Sequence, residues 1–534
     1  MLCPSSPYPL TETFPVATML MYRLYTTTNA NGTLTTHSIP PGLEGFLKAA
    51  ANIGSMIGQF AFGYAADALG RKAVYGKELM LIILATILCL TTPTGTLSPN
   101  ACIIYLSVFR ILLGVGVGGD YPMSASVTSD RSNLRKRGTM LAYIFSAQGW
   151  GSLVGSLCTI IVLKCYEHAM QAGTGMGRVS LVDGVWRIVV GISLIPAFGT
   201  LYQRLTLPES VRFTDSQKID GQGHSTAHGT SSQRSEDEFE KLKREQRIEE
   251  RETVDGSIPL TPTSNGSTTK HEKDKGVRLE VRDSSCPSSG SKNARVVDVQ
   301  GGDQLGHVVK KQAHFGEFVK YFSEWRHAKV LLGTCGCWFL LDISFYGINL
   351  NQNVVLQQIG FDGSTGTPWE RLFRVSTGGI IITALGFVPG YYATVLTIEI
   401  LGRKFIQIMG FLLTALFLGI LAGRFHELST EAYETCDLAY RTTYCYPAEV
   451  FPTRFKAFAH GISAASGKAG AIISALAFNS LSDKVGTPVV LWIFFGCNIV
   501  GAVLTLLLPE VKGRDADLVL AEELREKRER HGYV

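Results

Sequence analysis

Charged side chains are scarce in this chain. Asp, Glu, Lys and Arg make up 18% of its 534 residues, and long runs of them are gathered in residues 213–328. What remains cannot give a protein a water-facing surface all round, which excludes a soluble enzyme. The net charge of +5 is too small and too scattered for nucleic-acid binding. The opening residues, MLCPSSPYPLTETF, lack a basic n-region and a clean apolar core, so no signal peptide is expected. Paired cysteine spacing is missing too. Of eleven cysteines, Cys89, Cys102, Cys158, Cys335, Cys337 and Cys497 lie in or beside apolar blocks, which reads as small apolar packing residues and not as a disulfide framework. Cys335 and Cys337, two apart in a helix, point to different faces, so no zinc site is expected and no cofactor is implied.

Apolar blocks of about twenty residues are what the chain does have, the length a helix needs to cross ~30 Å of hydrocarbon. They fall near residues 45–68, 74–93, 101–127, 138–164 and 186–207, and again near 329–358, 376–398, 404–425, 457–482 and 488–508. Two weaker segments, 14–25 and 438–450, are about a dozen residues each and carry Arg23 and Arg441. The chain also repeats itself. DALGRK (Asp67–Lys72) returns as EILGRK (Glu399–Lys404), and LPES (Leu207–Ser210) returns as LPEV (Leu508–Val511). This predicts an all-α membrane protein of two six-helix bundles, nominally twelve spans with the first and tenth truncated. The bundles are residues 1–212 and 329–510. Between them lies a loop, 213–328, poor in aromatics and disordered over 215–310, and residues 511–534 form a charged tail. From Asp67 to Pro208 is 141 residues but from Glu399 to Pro509 only 110. A long loop at 165–185 and a missing half-helix around 426–438 account for the difference.

Arg71, Lys72, Lys77, Arg131, Arg135, Lys136, Arg137, Arg403 and Lys404 fall on one side, whereas loops 26–44 and 94–100 hold no Lys or Arg. The basic side is therefore expected in the cytoplasm, with the central loop, and Asn31-Gly32-Thr33 outside as a glycosylation sequon. Ionisable residues inside the apolar blocks need a reason, at ~2.5–3.5 kcal/mol each on insertion scales. They are Glu78, Arg110, Asp120, Asp342 and Lys468, a set suited to binding an anion and carrying protons. Trp338, Asp342 and Tyr346 are spaced by four and four, so they share one helix face. Tyr121 and Gln148 add donors from the first half. GVGVGG (Gly114–Gly119) sits inside an apolar block after no strand, so it reads as close helix packing and not as a nucleotide loop. The acids and basic pairs of the repeated motif, Asp67, Gly70 and Arg71 with Glu399, Gly402 and Arg403, read as latches between helices.

DALGRK, LPES, DGVWR (Asp183–Arg187) and PAEVFPTR (Pro447–Arg454) resemble the major facilitator superfamily. GVGVGGDYPMSAS, WFLLDISFYGINLNQ and HGISAASGKAGAI resemble its fungal and plant proton-coupled inorganic phosphate transporters. That resemblance implies a plasma-membrane symporter working by alternating access, whose partners are inorganic phosphate, protons and the lipid bilayer. It implies phosphate binding by Tyr121, Gln148, Trp338, Asp342, Tyr346 and Lys468. It further implies proton transfer by Glu78, Asp120 and Asp342, with Arg110 as a pairing partner. Where the chain departs from the family, an acidic segment is lacking before Phe14, and an Asn of the tenth helix is lacking near Tyr440. A lost first exon and a skipped coding stretch are the expected cause, with a decayed copy as the second explanation, and the chain as written is expected not to transport. Two other readings are a carrier of glycerophosphodiesters or other organic anions, and a phosphate sensor or inactive product that binds without cycling.

Overall fold

The computed structural model describes residues 14–28, 34–172, 176–210, 212–214, 315–352, 356, 361, 363, 366–424 and 437–530. The disorder expected over 215–310, the sequon at Asn31 and most of the expected gap at 426–438 lie outside them. The first half holds α1 (Phe14–Tyr25), α2 (Pro41–Leu69), α3 (Arg71–Val74), α4 (Lys77–Leu90), α5 (Pro99–Arg131), α6 (Arg137–Ala172), α7 (Met176–Ile192) and α8 (Leu194–Leu205). The second holds α9 (Phe315–Phe322), α10 (Trp325–Asn349), α11 (Pro368–Ile382), α12 (Val388–Leu401), α13 (Arg403–Gly423), α14 (Asp437–Val450), α15 (Lys456–Val485), α16 (Thr487–Thr505) and α17 (Ala516–Arg530). One two-stranded hairpin, β1 (Thr26–Thr28) and β2 (Leu34–Thr36), follows α1.

Nine helical spans among the described residues are long and apolar enough to cross a membrane. The sequence predicts ten. The difference is α2, which has the length at 29 residues but carries Glu44, Lys48, Asn52, Gln59 and Asp67. It needs less apolar surface because it packs between α5 and α15. Elsewhere lipid-facing residues such as Ile104, Ile161, Leu396 and Leu416 stand exposed on the helix surfaces, as the bilayer-facing side of a multi-pass membrane protein requires. The weak segments are helical, with 12 described residues in α1 and 14 in α14. One expectation is corrected. Residues 165–185 are not a long loop, because α6 runs on to Ala172 and α7 starts at Met176. Residues 315–322, at the end of the expected loop, form α9. Within the charged tail lies α17.

Glycines decide how close the first-half helices come. A Cβ on Gly54 would lie 1.9 Å from the Ile111 carbonyl oxygen, and one on Gly118 only 2.1 Å from that of Ser55. GVGVGG is thus a backbone-contact surface of α5 against α2, as small residues at membrane helix interfaces permit. Gly118→Ala is expected to lower stability by ~1–3 kcal/mol, the usual cost of overpacking. Gly199→Ala, where a Cβ meets nothing within 4 Å, should leave it unchanged. Thermal unfolding of the two variants in one detergent checks this.

Candidate functional site

Two of the most buried charges, Asp342 and Lys468, meet beside Tyr121 of the first half. On α10, Trp338, Asp342 and Tyr346 lie along one face, each at most 2% exposed. Opposite them, α15 comes close because Gly467 and Gly470 have no side chain. A Cβ on Gly467 would meet the Trp338 ring at 2.4 Å and Asp342 Oδ2 at 2.9 Å. That closeness delivers the next residue, Lys468, whose Nζ lies 3.4 Å from Asp342 Oδ2 and donates to Tyr346 OH at 2.5 Å. The same ammonium sits 4.1 Å from the Tyr346 ring centroid and 5.5 Å from that of Tyr121 on α5. Cation–π contact of this kind strengthens when the cation is desolvated.

An aromatic wall closes the cluster. Tyr444 of α14 stacks on Phe145 of α6 at 4.4 Å and meets Tyr121 edge-on at 6.1 Å. It also meets Trp338 and His460 at 6.3 and 5.2 Å. Trp338 Nε1 is buried with no hydrogen-bond partner among the described residues. A buried donor left unmatched costs ~1–3 kcal/mol, so it points to something that occupies this space. Gln148, half-buried on α6, makes no side-chain hydrogen bond among the described residues. Thus five of the six residues named for the anion, Tyr121, Trp338, Asp342, Tyr346 and Lys468, come together.

The other acids form a second cluster beside Tyr121. Arg204, at the end of α8, reaches both Glu78 and Asp120. Its Nη1 lies 3.4 Å from Glu78 Oε1 and makes a short bond to Asp120 Oδ1. Ser124 donates to the same Asp120 oxygen at 2.9 Å, and the Gly76 amide to Glu78 at 2.8 Å. Two carboxylates therefore share one guanidinium, and the cluster becomes neutral only with one added proton. The sequence named Arg110 as the pairing residue. Arg110 is ten positions before Asp120 on α5, about 15 Å along the axis at 1.5 Å per residue, and the structure gives the pairing to Arg204. Arg204 was overlooked because it closes an apolar block beside LPES, where a flanking arginine is ordinary.

The repeated motifs meet at one end of the molecule and form matched latches. Asp67 accepts from the amides of Ala457 and Phe458 at 3.3 and 2.8 Å, capping α15 from the other half. Glu399 accepts from the amide of Thr139 at 3.0 Å, near the start of α6. Such free amides at helix starts favour a carboxylate. Arg71 pairs with Asp130 at 3.1 Å, and Asp130 also takes Lys456 of the other half at 2.8 Å. Arg403 pairs with Glu399 and Glu449, both at 2.7 Å. Gly70 and Gly402, with φ of +96° and +82°, turn the chain so that Glu209 and Glu510 receive the next amides. LPES and LPEV supply those two glutamates, which explains why the motifs recur as pairs.

These latches hold the halves together at the basic end. Neutralising two of them, Asp67→Asn with Glu399→Gln, should shift the population toward a state open there. We expect a water-soluble maleimide to label a cysteine at buried Ala66 about tenfold faster, equivalent to ~1.4 kcal/mol. Mass spectrometry at that residue reads the rate, and an unchanged rate would leave the latches without a gating role.

Comparison with known proteins places this geometry in context. The family described as sugar (and other) transporter matches residues 16–271 and 303–521. A Schizosaccharomyces pombe protein named for inorganic phosphate transport is 42% identical over 494 residues, covering 91% of this chain and 80% of its own. The Saccharomyces cerevisiae inorganic phosphate transporter PHO84 is 33% identical over 501 residues, 89% of this chain and 76% of its own. The Neurospora crassa repressible high-affinity phosphate permease is 32% identical over 511 residues, 91% and 80%. Among solved structures, the major facilitator superfamily proton:xylose symporter XylE bound to 6-bromo-6-deoxy-D-glucose matches with a TM-score of 0.60. It is 16% identical and covers 97% of this chain and 98% of that one, a likeness of fold.

Proposed function

The chain belongs to the sugar (and other) transporter family of the major facilitator superfamily, and we propose that it imports inorganic phosphate with protons across the plasma membrane. The observation that carries this is the buried Lys468–Asp342 pair of the second half, facing Tyr121 of the first, read beside relatives named for inorganic phosphate transport. The protein is a carrier and not an enzyme. The positive-inside rule places the latched basic end, and with it the central loop, in the cytoplasm.

The chemistry follows from charge. With Asp342 ionised, its carboxylate cancels Lys468 and an arriving anion finds no net attraction. Protonating Asp342 frees the Lys468 charge for phosphate, while Tyr121, Tyr346 and Trp338 direct donors at its oxygens. Anion and proton therefore load together. The Glu78–Arg204–Asp120 cluster, adjacent to Tyr121, carries a further proton because it is short of one positive charge. Release follows when the latches at the basic end part.

A second reading is binding without flux. It is favoured by the shortness of the second half between the repeated motifs, 110 residues from Glu399 to Pro509 against 141 from Asp67 to Pro208. Uptake of labelled phosphate into vesicles with an imposed pH gradient separates the readings. Concentrative uptake that unlabelled glycerophosphodiesters do not displace supports import of inorganic phosphate. Displacement by those esters favours the organic-anion carrier, and bound label without accumulation favours the sensor.

A further inference from the structure

One face of α2 carries three polar residues that the site described above does not use. Asn52, Ser55 and Gln59 are each 0% exposed. Both side-chain atoms of Asn52, both of Gln59 and the Ser55 hydroxyl have no hydrogen-bond partner among the described residues. Spacings of three and four put the three on one face of α2. Unmatched buried polar atoms cost ~1–3 kcal/mol apiece, so a packed face would be more stable with leucine or alanine there. Violations of that kind concentrate at functional positions.

The register of the seam between α2 and α15 says what Asn52 faces. Built Cβ atoms on Gly45 and Gly63 would lie 3.3 and 2.9 Å from the carbonyl oxygens of Ala475 and Ala457, and one on Gly461 would lie 2.4 Å from that of Gln59. Each step along α2 is thus matched by one step back along α15. Asn52 is seven residues on from Gly45, and Lys468 is seven back from Ala475, so Asn52 stands level with Lys468. Gly45 and Gln59, the next seam positions on either side of Asn52, oppose only Ala475 and Gly461. At the Lys468 level, by contrast, a carboxamide with both ends unsatisfied lies across from the buried ammonium, and Trp338 Nε1 is unsatisfied on the neighbouring α10.

We infer that Asn52 is a further substrate-contacting residue, whose carboxamide N–H donates to an oxygen of the phosphate held at Lys468. This rests on the functional reading above. An anion with four oxygens can accept from the lysine, the indole and the amide together, and of these donors the indole and the amide have no partner among the described residues. Ser55 and Gln59 continue the same polar face toward the Asp67 latch.

The test is Asn52→Leu, which removes the unmatched atoms while keeping similar bulk. The unaltered chain and Lys468→Gln are measured beside it for phosphate binding to purified protein, vesicle uptake and thermal unfolding. The expected result is an unfolding temperature equal to or above that of the unaltered chain, with KM for phosphate raised about tenfold. Turnover should stay within about twofold. Asn52→Ala, small enough for a seam built of Ala and Gly, should raise KM in the same way and decides the matter if the leucine variant does not accumulate. A KM within twofold of the unaltered value in both variants, beside a clear Lys468→Gln defect, overturns the inference and leaves the site standing. Failure of the unaltered chain to bind phosphate at all would instead remove the functional reading, and the inference with it.

Discussion

Asp342→Asn should abolish proton-driven phosphate accumulation without unfolding the protein. The carboxylate is fully buried, 3.4 Å from the only lysine on that part of α15. An amide keeps its shape but cannot exchange a proton, so loading of the anion no longer depends on the pH outside. Lys468 would hold its charge permanently, and phosphate, once bound, would lose the group whose deprotonation expels it. The expected phenotype is retained binding with no accumulation above equilibrium at any imposed pH gradient. Uptake in this variant that stays concentrative and pH-dependent would contradict the role given to Asp342.

Removing the other half of the pair should have an effect of comparable size on binding. Lys468→Gln takes the only formal positive charge from the cluster. Truncating one partner of a desolvated, hydrogen-bonded charge pair costs ~2–5 kcal/mol, about thirtyfold to several thousandfold in affinity. Here the second partner is the substrate as well as Asp342. The variant also strands Asp342 as a buried acid, which is destabilising in itself. Combining it with Asp342→Asn should therefore restore thermal stability without restoring phosphate affinity. Calorimetric binding and thermal unfolding on the single and double variants check both halves of this statement. Normal affinity in Lys468→Gln would make the lysine a packing residue only.

The parts of this site that could be read from the sequence share a property. Lys468 and Asp342 stand out because each is a lone charge in an apolar block, and membrane insertion makes such a residue costly wherever it packs. The stripe of Trp338, Asp342 and Tyr346 is legible because helical spacing is local. The spans were legible from block length, and the latches from the repeat of the LGRK motif. What the sequence hid were partners. Arg204 meets Asp120 across 84 positions, and Lys456 meets Asp130 across 326. No local pattern marks such pairs, because packing of separate helices creates them. Tyr444 was hidden in a segment whose weak hydropathy argued against a full span, yet its ring ties both halves to the site. α2 erred in the opposite direction. Its small residues and buried amides reduce its apolarity where helices pack on two sides, while Ile57, Phe60 and Tyr64 stand exposed as lipid-facing residues do.

The central claim is that phosphate and protons move together through this one site. Its most direct test is proton entry driven by phosphate alone. Proteoliposomes holding the purified chain and a trapped pH indicator, with no pH gradient and no membrane potential, are given external phosphate. The account predicts acidification of the interior that begins on addition, saturates with phosphate concentration and is absent from Asp342→Asn vesicles. Phosphate entry measured in the same vesicles with no accompanying acidification beyond that of the Asp342→Asn control would contradict it.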